Sequence, residues 1–301
     1  MVPARRAWCP ATALGLSLLT IAVPAALGQE LSDIRPPALK EAEIDAESAA
    51  RARELVARML EAHGGLVRFR SFTAAEVVAR DDWPSAEARA QYMPWPENDQ
   101  RIRYQFLLGT FDSRAEILEG EGKGEVRGIQ NWMTYRKAPG GDAVFSPDPL
   151  QTFFLPTYQY FFELPFRMAE VPIVGYGGEE TFLGEPYHRV LATWETPEPH
   201  PEHDQYLLWI HAETGRLDLV QYTIREFMPS AIGAIHLEDF RQVQGLLLPF
   251  RQTIGPPGGD RYLHRIQLEE VVFTNDLPRT VFFPDPSRSG TKPGPAPARA
   301  P

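Results

Sequence analysis

Cysteine is all but missing. The 301 residues contain one, Cys9, and it precedes the apolar run 11–26, whereas a lipidation cysteine at a cleavage site would follow that run. Arg5 and Arg6 stand ahead of the run, which closes in Ala26-Leu27-Gly28. That is the pattern of a secretory signal over residues 1–28, with small residues at the cleavage positions. The run is too short for a membrane span, which needs about 20 residues, so no stable span is expected after cleavage. The cleaved chain then has no disulfide and no thiol nucleophile. Export without disulfides fits the periplasm of a Gram-negative bacterium, or secretion, and leaves burial alone to stabilise the fold.

Positive charge is scarce as well. Thirty Lys and Arg face 40 Asp and Glu, and removal of Arg5 and Arg6 brings the net charge to about −12. Nucleic acid is excluded as a partner, because phosphate binding needs concentrated Lys and Arg. Simple electrostatic attachment to anionic lipid is excluded on the same ground.

Nucleophile signatures are absent too. No Gly-x-Ser-x-Gly occurs and no serine lies in a recognisable elbow, so no catalytic residue is assigned and the chain is expected not to be an enzyme. Gly175-Tyr-Gly-Gly178 lacks the lysine and following helix of a phosphate loop, and Gly120-Glu-Gly-Lys-Gly124 falls between strands; both are expected to be turns. One group has metal-like spacing, His200-Pro-Glu-His203-Asp204. Zinc ligand pairs sit on helices or tight knuckles, whereas Pro199 and Pro201 extend this stretch, so it reads as a solvated polar loop. No metal and no cofactor are expected.

What is present is alternation. Residues 204–254 read as two β-hairpins laid end to end. The first strand, 204–211, turns at Ala212-Glu-Thr-Gly215 and returns over 216–224, with Gly215 able to take φ > 0 after a type I turn. The second hairpin runs 235–243, turns at Gln244-Gly245 and returns over 246–254. Further strands are expected at 73–80, 100–109, 114–118, 124–130, 131–136, 187–195 and 262–273. The connections are too short for helical crossovers, so the sheet should be antiparallel.

Residues 29–44 lack periodicity and are expected to be a flexible lead-in. From Asp45, a plausible N-cap, Ala49, Ala52, Leu55, Val56, Met59 and Leu60 fall on one helical face, and Gly64-Gly65 ends the helix. His63, at its last turn, is expected to cap carbonyls and answer the helix dipole. The segment 81–99, with Trp83-Pro84 and Tyr92-Met-Pro-Trp-Pro96, is expected to be a loop carrying large aromatics. The polar segment 138–149 should separate the first strands from the block Phe153-Phe-Leu-Pro-Thr-Tyr-Gln-Tyr-Phe-Phe-Glu-Leu-Pro-Phe166. Pro156 and Pro165 bracket one short helix there, about two turns over 157–164. So many aromatic rings must face a core, a partner or a ligand, and core packing is the plainest of the three. The Pro-rich stretch 285–301 lacks the apolar content to pack and should be disordered.

The sum is a mainly β fold with helices: a strongly curved antiparallel sheet, an open β-barrel of about 10–11 strands, covering one N-terminal helix and a short aromatic helix in a single domain over 45–284. A concave apolar face of that kind could bind a hydrophobic ligand. Its lining would come from Val56, Met59 and Leu60 of the helix, from Phe153, Phe154, Tyr158, Phe161, Phe162 and Phe166 of the aromatic block, and from Tyr206, Leu208 and Ile210 of the first hairpin.

Several motifs together resemble one family. His63-Gly-Gly65 closes an N-terminal helix, and Tyr206-x-Leu-Trp-Ile-His-x-Glu-Thr-Gly-Arg216 lies in a meander. Phe240-Arg-x-Val-x-Gly245 precedes Leu248-Pro249, and Asn275-x-Leu-Pro precedes Phe282-Phe-Pro284. Over most of residues 45–285 this order of elements resembles the lipoprotein-localisation carrier superfamily of LolA and LolB type, although the chain is longer than such carriers and no counterpart of their lid-latching arginine is placed in it. The resemblance implies an open, strongly bent antiparallel sheet of about eleven strands wrapped over helices, with an apolar cavity for acyl chains. The expected function is that of a periplasmic, non-enzymatic carrier for a hydrophobic small molecule, a lipid or a lipidated protein, with a transient membrane-protein partner in delivery. The alternative is a protein-interaction or envelope-sensor module that uses the aromatic block and Trp83 with Trp95; a metal-dependent enzyme ranks below both.

Overall fold

A computed structural model describes residues 31–226, 228–258 and 262–288. The signal expected over 1–28 lies outside them, as does most of the expected disordered tail.

The chain begins with helices α1 (Pro37–Glu41), α2 (Ala46–Ala62) and α3 (Leu66–Arg70). Strand β1 (Ala74–Asp82) is followed by α4 (Ala86–Tyr92), then by β2 (Gln100–Leu107), β3 (Ser113–Ile117), β4 (Val126–Gln130), β5 (Met133–Lys137) and β6 (Ala143–Phe145). Helices α5 (Pro149–Phe162) and α6 (Leu164–Arg167) come next. The second half is β7 (Ile173–Phe182), β8 (Glu185–Thr193), β9 (Tyr206–His211), β10 (Leu217–Ile224), β11 (Met228–Val243), β12 (Leu246–Gly255) and β13 (His264–Thr274).

All 13 strands join one antiparallel sheet in the order β6-β5-β4-β3-β2-β1-β13-β12-β11-β10-β9-β8-β7. The sheet is curved and unclosed, as expected. Its first and last strands pair at the middle, because each half of the chain meanders outward from there. The edges are therefore β6 and β7, which are joined in sequence by α5 and α6. That connection has to cross the whole face of the sheet, and this is why an aromatic helix lies over the concave side.

Alternation sets the faces. In β2, Ile102, Tyr104 and Phe106 are buried while Arg101, Arg103 and Gln105 are half-buried on the other side. The hairpin turns form as their residues dictate: Gly215 takes φ 72, and Gln244 and Gly245 take φ 48 and 85, a two-residue turn whose twist matches its strands.

Several expectations are corrected. Among the described residues the strands number thirteen, not ten or eleven, because β6 lies in the supposed separator and β7 includes Gly175–Gly178, expected as a turn. A bulge between Tyr176 and Glu179 lets β7 continue. The glycines serve a close approach: a Cβ on Gly175 would stand 2.6 Å from Cδ1 of Ile44. Residues 31–44 are accordingly not a loose lead-in. They pack on the sheet, with Ile34 and Leu39 buried, Ile34 N–H donating to Oε1 of Gln205 and Arg225 donating to Ser32. This segment covers the convex-side cluster of Leu207, Trp209 and Leu219, which explains why every residue of β9 is buried.

The stretch 81–99 is not a simple loop. Ser85 caps α4 by accepting from Ala88 N–H, since its prolines flank the helix instead of interrupting it. Helix α5 is longer than the two turns expected, because Asp148 caps it, Pro149 opens it, and Pro156 is accommodated inside it. At the C-terminus Phe282 and Phe283 are buried against Ala74. Gln130 donates to Asp285 O and Asn131 to Arg288 O, so residues 285–288 are tied to the β4–β5 turn.

His63 is also corrected. It is fully buried at the end of α2, and it does not cap that helix with its ring. Nδ1 donates to Leu247 O at 2.8 Å and Nε2 accepts from Leu217 N–H at 3.1 Å. The neutral imidazole bridges β10 and β12, and burial lowers its pKa. Gly64 follows at φ 98, where a Cβ would meet Gly245 O at 2.2 Å, so the helix end and the β11–β12 turn touch backbone to backbone.

Candidate functional site

The twelve residues expected to line a ligand site come together, but as a packed core. Val56, Met59, Phe154, Tyr158, Phe161, Phe162, Phe166, Tyr206, Leu208 and Ile210 are buried in one cluster, and Leu60 and Phe153 pack against it partly buried. Phe161 lies 5.1 Å from Tyr222, Phe162 5.3 Å from Phe106, and Tyr160 5.6 Å from Tyr206. The space between sheet and α5 is thus occupied by the helix's own side chains. Of the expected lining residues, Phe166 borders a pocket of about 190 Å³ beside Phe69 and Arg167, and Leu60 borders a surface cleft at the end of α2. A cleft of about 440 Å³ lies elsewhere, between Leu39, Ile44, Arg53 and Ile173.

Helix α5 is buried on every side from Phe154 to Phe162. A helix buried all round is normally a core helix enclosed by other elements, and this one packs on β3, β4 and β5 while its rings reach β2, β9 and β10. Each large aromatic side chain buried there contributes about 1.5–3 kcal/mol, which holds the helix in place without fixing its orientation chemically.

Polar groups do the fixing. Under α5, Asp81 is fully buried; its Oδ1 is 2.8 Å from His264 Nδ1, and its Oδ2 accepts from Tyr158 OH at 2.6 Å and Trp95 Nε1 at 2.8 Å. Trp83 stacks on the His264 ring at 4.3 Å. Burial opposes the Asp81 charge, but the His264 charge and the surrounding donors outweigh it and hold the carboxyl below its ordinary pKa. At the other end of α5, buried Glu163 accepts from Gly109 N–H and Gln159 Nε2 and pairs with Arg167 at 2.9 Å. There burial dominates and raises the pKa.

Three hydroxyls in the same core have no partner: Tyr104, Tyr160 and Tyr206, each wholly desolvated, with pKa values raised by burial. Tyr160 and Tyr206 face one another, and their hydroxyls interact without reaching good hydrogen-bond geometry. An unpaired buried hydroxyl costs about 1–3 kcal/mol, so these are polar positions with unused bonding capacity inside an apolar space. Sequence reasoning included Tyr206 only for its ring, and passed over Tyr104, Tyr160, Asp81 and His264. The alternation of β2 does place Tyr104 on the inward face, though not in the site; nothing local marks Asp81 or His264, which meet across 183 residues.

Trp83 and Trp95 are 0% and 4% exposed. The interaction surface expected from them and from Phe161 and Phe162 is therefore interior. The stretch 200–204 is not a solvated loop either: His203 and Asp204 are buried, and Glu195, outside the expected group, approaches both imidazoles. Among the described residues no helix is long and apolar enough to cross a membrane.

The fold is a curved, unclosed antiparallel sheet packed over helices. A DUF1329 family protein from Desulfovibrio piger shares it, with a TM-score of 0.50 at 9% identity over 78% of this chain and 97% of that one. Looser likenesses are an outer membrane lipoprotein-sorting protein domain from Vibrio parahaemolyticus, at a TM-score of 0.48 and 9% identity, and a LolA superfamily protein from Nitrosomonas europaea, at 0.45 and 13%. Each of these two alignments covers 78% of this chain and 97% of the other. No protein-family model matches the sequence, and no curated protein matches it.

Proposed function

We propose that this is an exported, non-enzymatic binding protein that takes an acyl chain, borne by a lipid or a lipidated protein, into the concave face beneath α5. The observation that carries this reading is a helix buried on all sides against an unclosed sheet, with one unpaired tyrosine hydroxyl on the helix, Tyr160, and two on the sheet, Tyr104 and Tyr206. In the ligand-free state the aromatic side chains of α5 fill the space. A chain entering from the open side would replace those rings with hydrocarbon of similar character, so the exchange loses little hydrophobic free energy. The ester or amide at the head of an acyl group would give Tyr160 and Tyr206 the acceptors they lack.

Helix α5 is suited to move. Together with α6 it links opposite edge strands of the sheet, and Pro156 leaves the Thr152 carbonyl without its intrahelical donor, a weak point in the middle of the helix. The export signal read in residues 1–28 supports an extracytoplasmic site of action, where acyl groups need a shelter from water. Titration of the full chain with a fluorescent fatty-acid analogue tests the reading. Saturable uptake of about one probe per chain, weakened in Tyr160→Phe with Tyr206→Phe, is expected; absence of uptake by folded protein would overturn it.

A further inference from the structure

We propose that Glu195, His200 and His203 form a binding site for a divalent transition-metal ion with zinc-like ligand preference. Each offers one ligand atom, and the three atoms all lie within 4.8 Å of one another. Glu195 Oε2 stands 3.0 Å from Nε2 of His203 and 3.9 Å from Nε2 of His200. Zinc bonds of about 2.0–2.2 Å at tetrahedral angles set neighbouring ligand atoms roughly 3.3 Å apart. The two observed separations bracket that value, so small side-chain rotations complete the set. The imidazole rings stack at 4.7 Å and 25°, with both Nε2 atoms turned to the one carboxylate. Two nitrogens and one oxygen suit zinc, copper or nickel; magnesium and calcium prefer oxygen. With three protein ligands and an exposed Glu195, the remaining position opens to solvent.

The frame is built from the surrounding sheet. His203 is 5% exposed and its Nδ1 has no partner, so Nε2 is the ring's single outlet. Thr193 Oγ1 donates to Asp204 O, and Gln205 N–H donates to Thr223 Oγ1, which pins the base of the loop to β8 and β10. Asp204 is committed to Thr223 and Arg225 and stays outside the set. Glu195 takes φ 54 in a tight turn closed by Thr196 N–H to Trp194 O at 2.6 Å. Pro197, Pro199 and Pro201 restrict the rest of the loop.

His200 is the ligand that adjusts. Its Nδ1 accepts from Glu202 N–H at 3.1 Å on the surface, so metal binding at Nε2 moves the ring proton to Nδ1 and hands the Glu202 amide to water. That exchange is cheap, because an exposed contact has a solvent substitute. Gln205 links the loop onward, accepting from Ile34 N–H and donating to Pro197 O. A bound ion would therefore fasten the segment 194–205, and through it the N-terminal strap, to the edge half of the sheet.

The test uses the full chain, stripped by chelator and carrying no affinity tag, in competition with a chromophoric zinc chelator. One zinc per chain is expected, with cobalt giving the visible absorption of a tetrahedral site. His200→Ala, on a side chain that is partly exposed, should weaken zinc by about 100-fold, and Glu195→Gln should weaken it as well. His236→Ala, a histidine on β11, should leave the affinity unchanged. Failure to bind one zinc, or an affinity untouched by His200→Ala, would overturn the site.

Discussion

Asp81 and His264 meet at 2.8 Å in the middle of the core, on the two strands where the beginning and the end of the sheet join. The carboxylate also holds Tyr158 of α5, so one buried group ties the crossing helix to the central seam of the sheet. Removing the carboxylate leaves the buried His264 ring, the Tyr158 hydroxyl and Trp95 Nε1 without their shared partner. Asp81→Ala is expected to cost about 3–5 kcal/mol, read as a lower denaturant midpoint. Because the folded Asp81 pKa lies below its ordinary value, its contribution is present above the unfolded pKa of about 3.9 and is lost as pH falls through the folded value. That part of the acid response should vanish in the variant.

Tyr158 and Tyr206 should respond to loss of their hydroxyls in opposite directions. Tyr158 donates to a carboxylate, and Tyr158→Phe should cost about 1.5–3 kcal/mol. Tyr206 has no partner, so Tyr206→Phe should leave the ligand-free protein equally stable or more stable by about 1 kcal/mol. Parallel thermal unfolding of both variants checks the contrast.

His63→Ala removes the donor to Leu247 O and the acceptor of Leu217 N–H together. Two buried backbone groups left unpaired should cost about 2–4 kcal/mol. The lowered pKa of His63 adds a pH signature. The unfolded chain takes up a proton near its ordinary value of about 6.5 while the folded ring does not, so stability is complete above that pH and declines as pH falls toward the folded value. Unfolding midpoints at a series of pH values, in wild type and variant, measure it.

Gly64→Ala places a methyl group against Gly245 O at a backbone angle that disfavours side chains. A loss of about 2–4 kcal/mol is expected. Gly109→Ala, also at positive φ but with open space around its Cβ, should cost about 1 kcal/mol. Urea unfolding of the pair separates the clash from the dihedral cost.

The sheet was legible because alternation and turn chemistry are local: Ile102, Tyr104 and Phe106 declare an inward face, and Gln244-Gly245 declares a hairpin. What local pattern hides is what distant segments do to one another. Gly175 reads as a turn until Ile44 is seen lying on it, and residues 31–44 read as loose until the convex side of β9 needs a cover. The aromatic block was recognised as buried, but only the strand order shows that it must cross from edge β6 to edge β7. The hydrophobic residues chosen for the site lie together as packed core. Asp81 and His264 were missed because strand pairing alone brings them together; the spacing of His200 and His203 was legible, whereas Glu195, which the loop brings to both imidazoles, was not.

The most direct measurement is native mass spectrometry of the full chain purified from its own host under gentle conditions. If the concave face beneath α5 holds an acyl chain, a mass adduct releasing a fatty acid, lipid or lipidated peptide on activation is expected, and the adduct should diminish in Tyr160→Phe with Tyr206→Phe. A ligand-free spectrum, combined with no uptake of fatty-acid probes by the same folded sample, would contradict it.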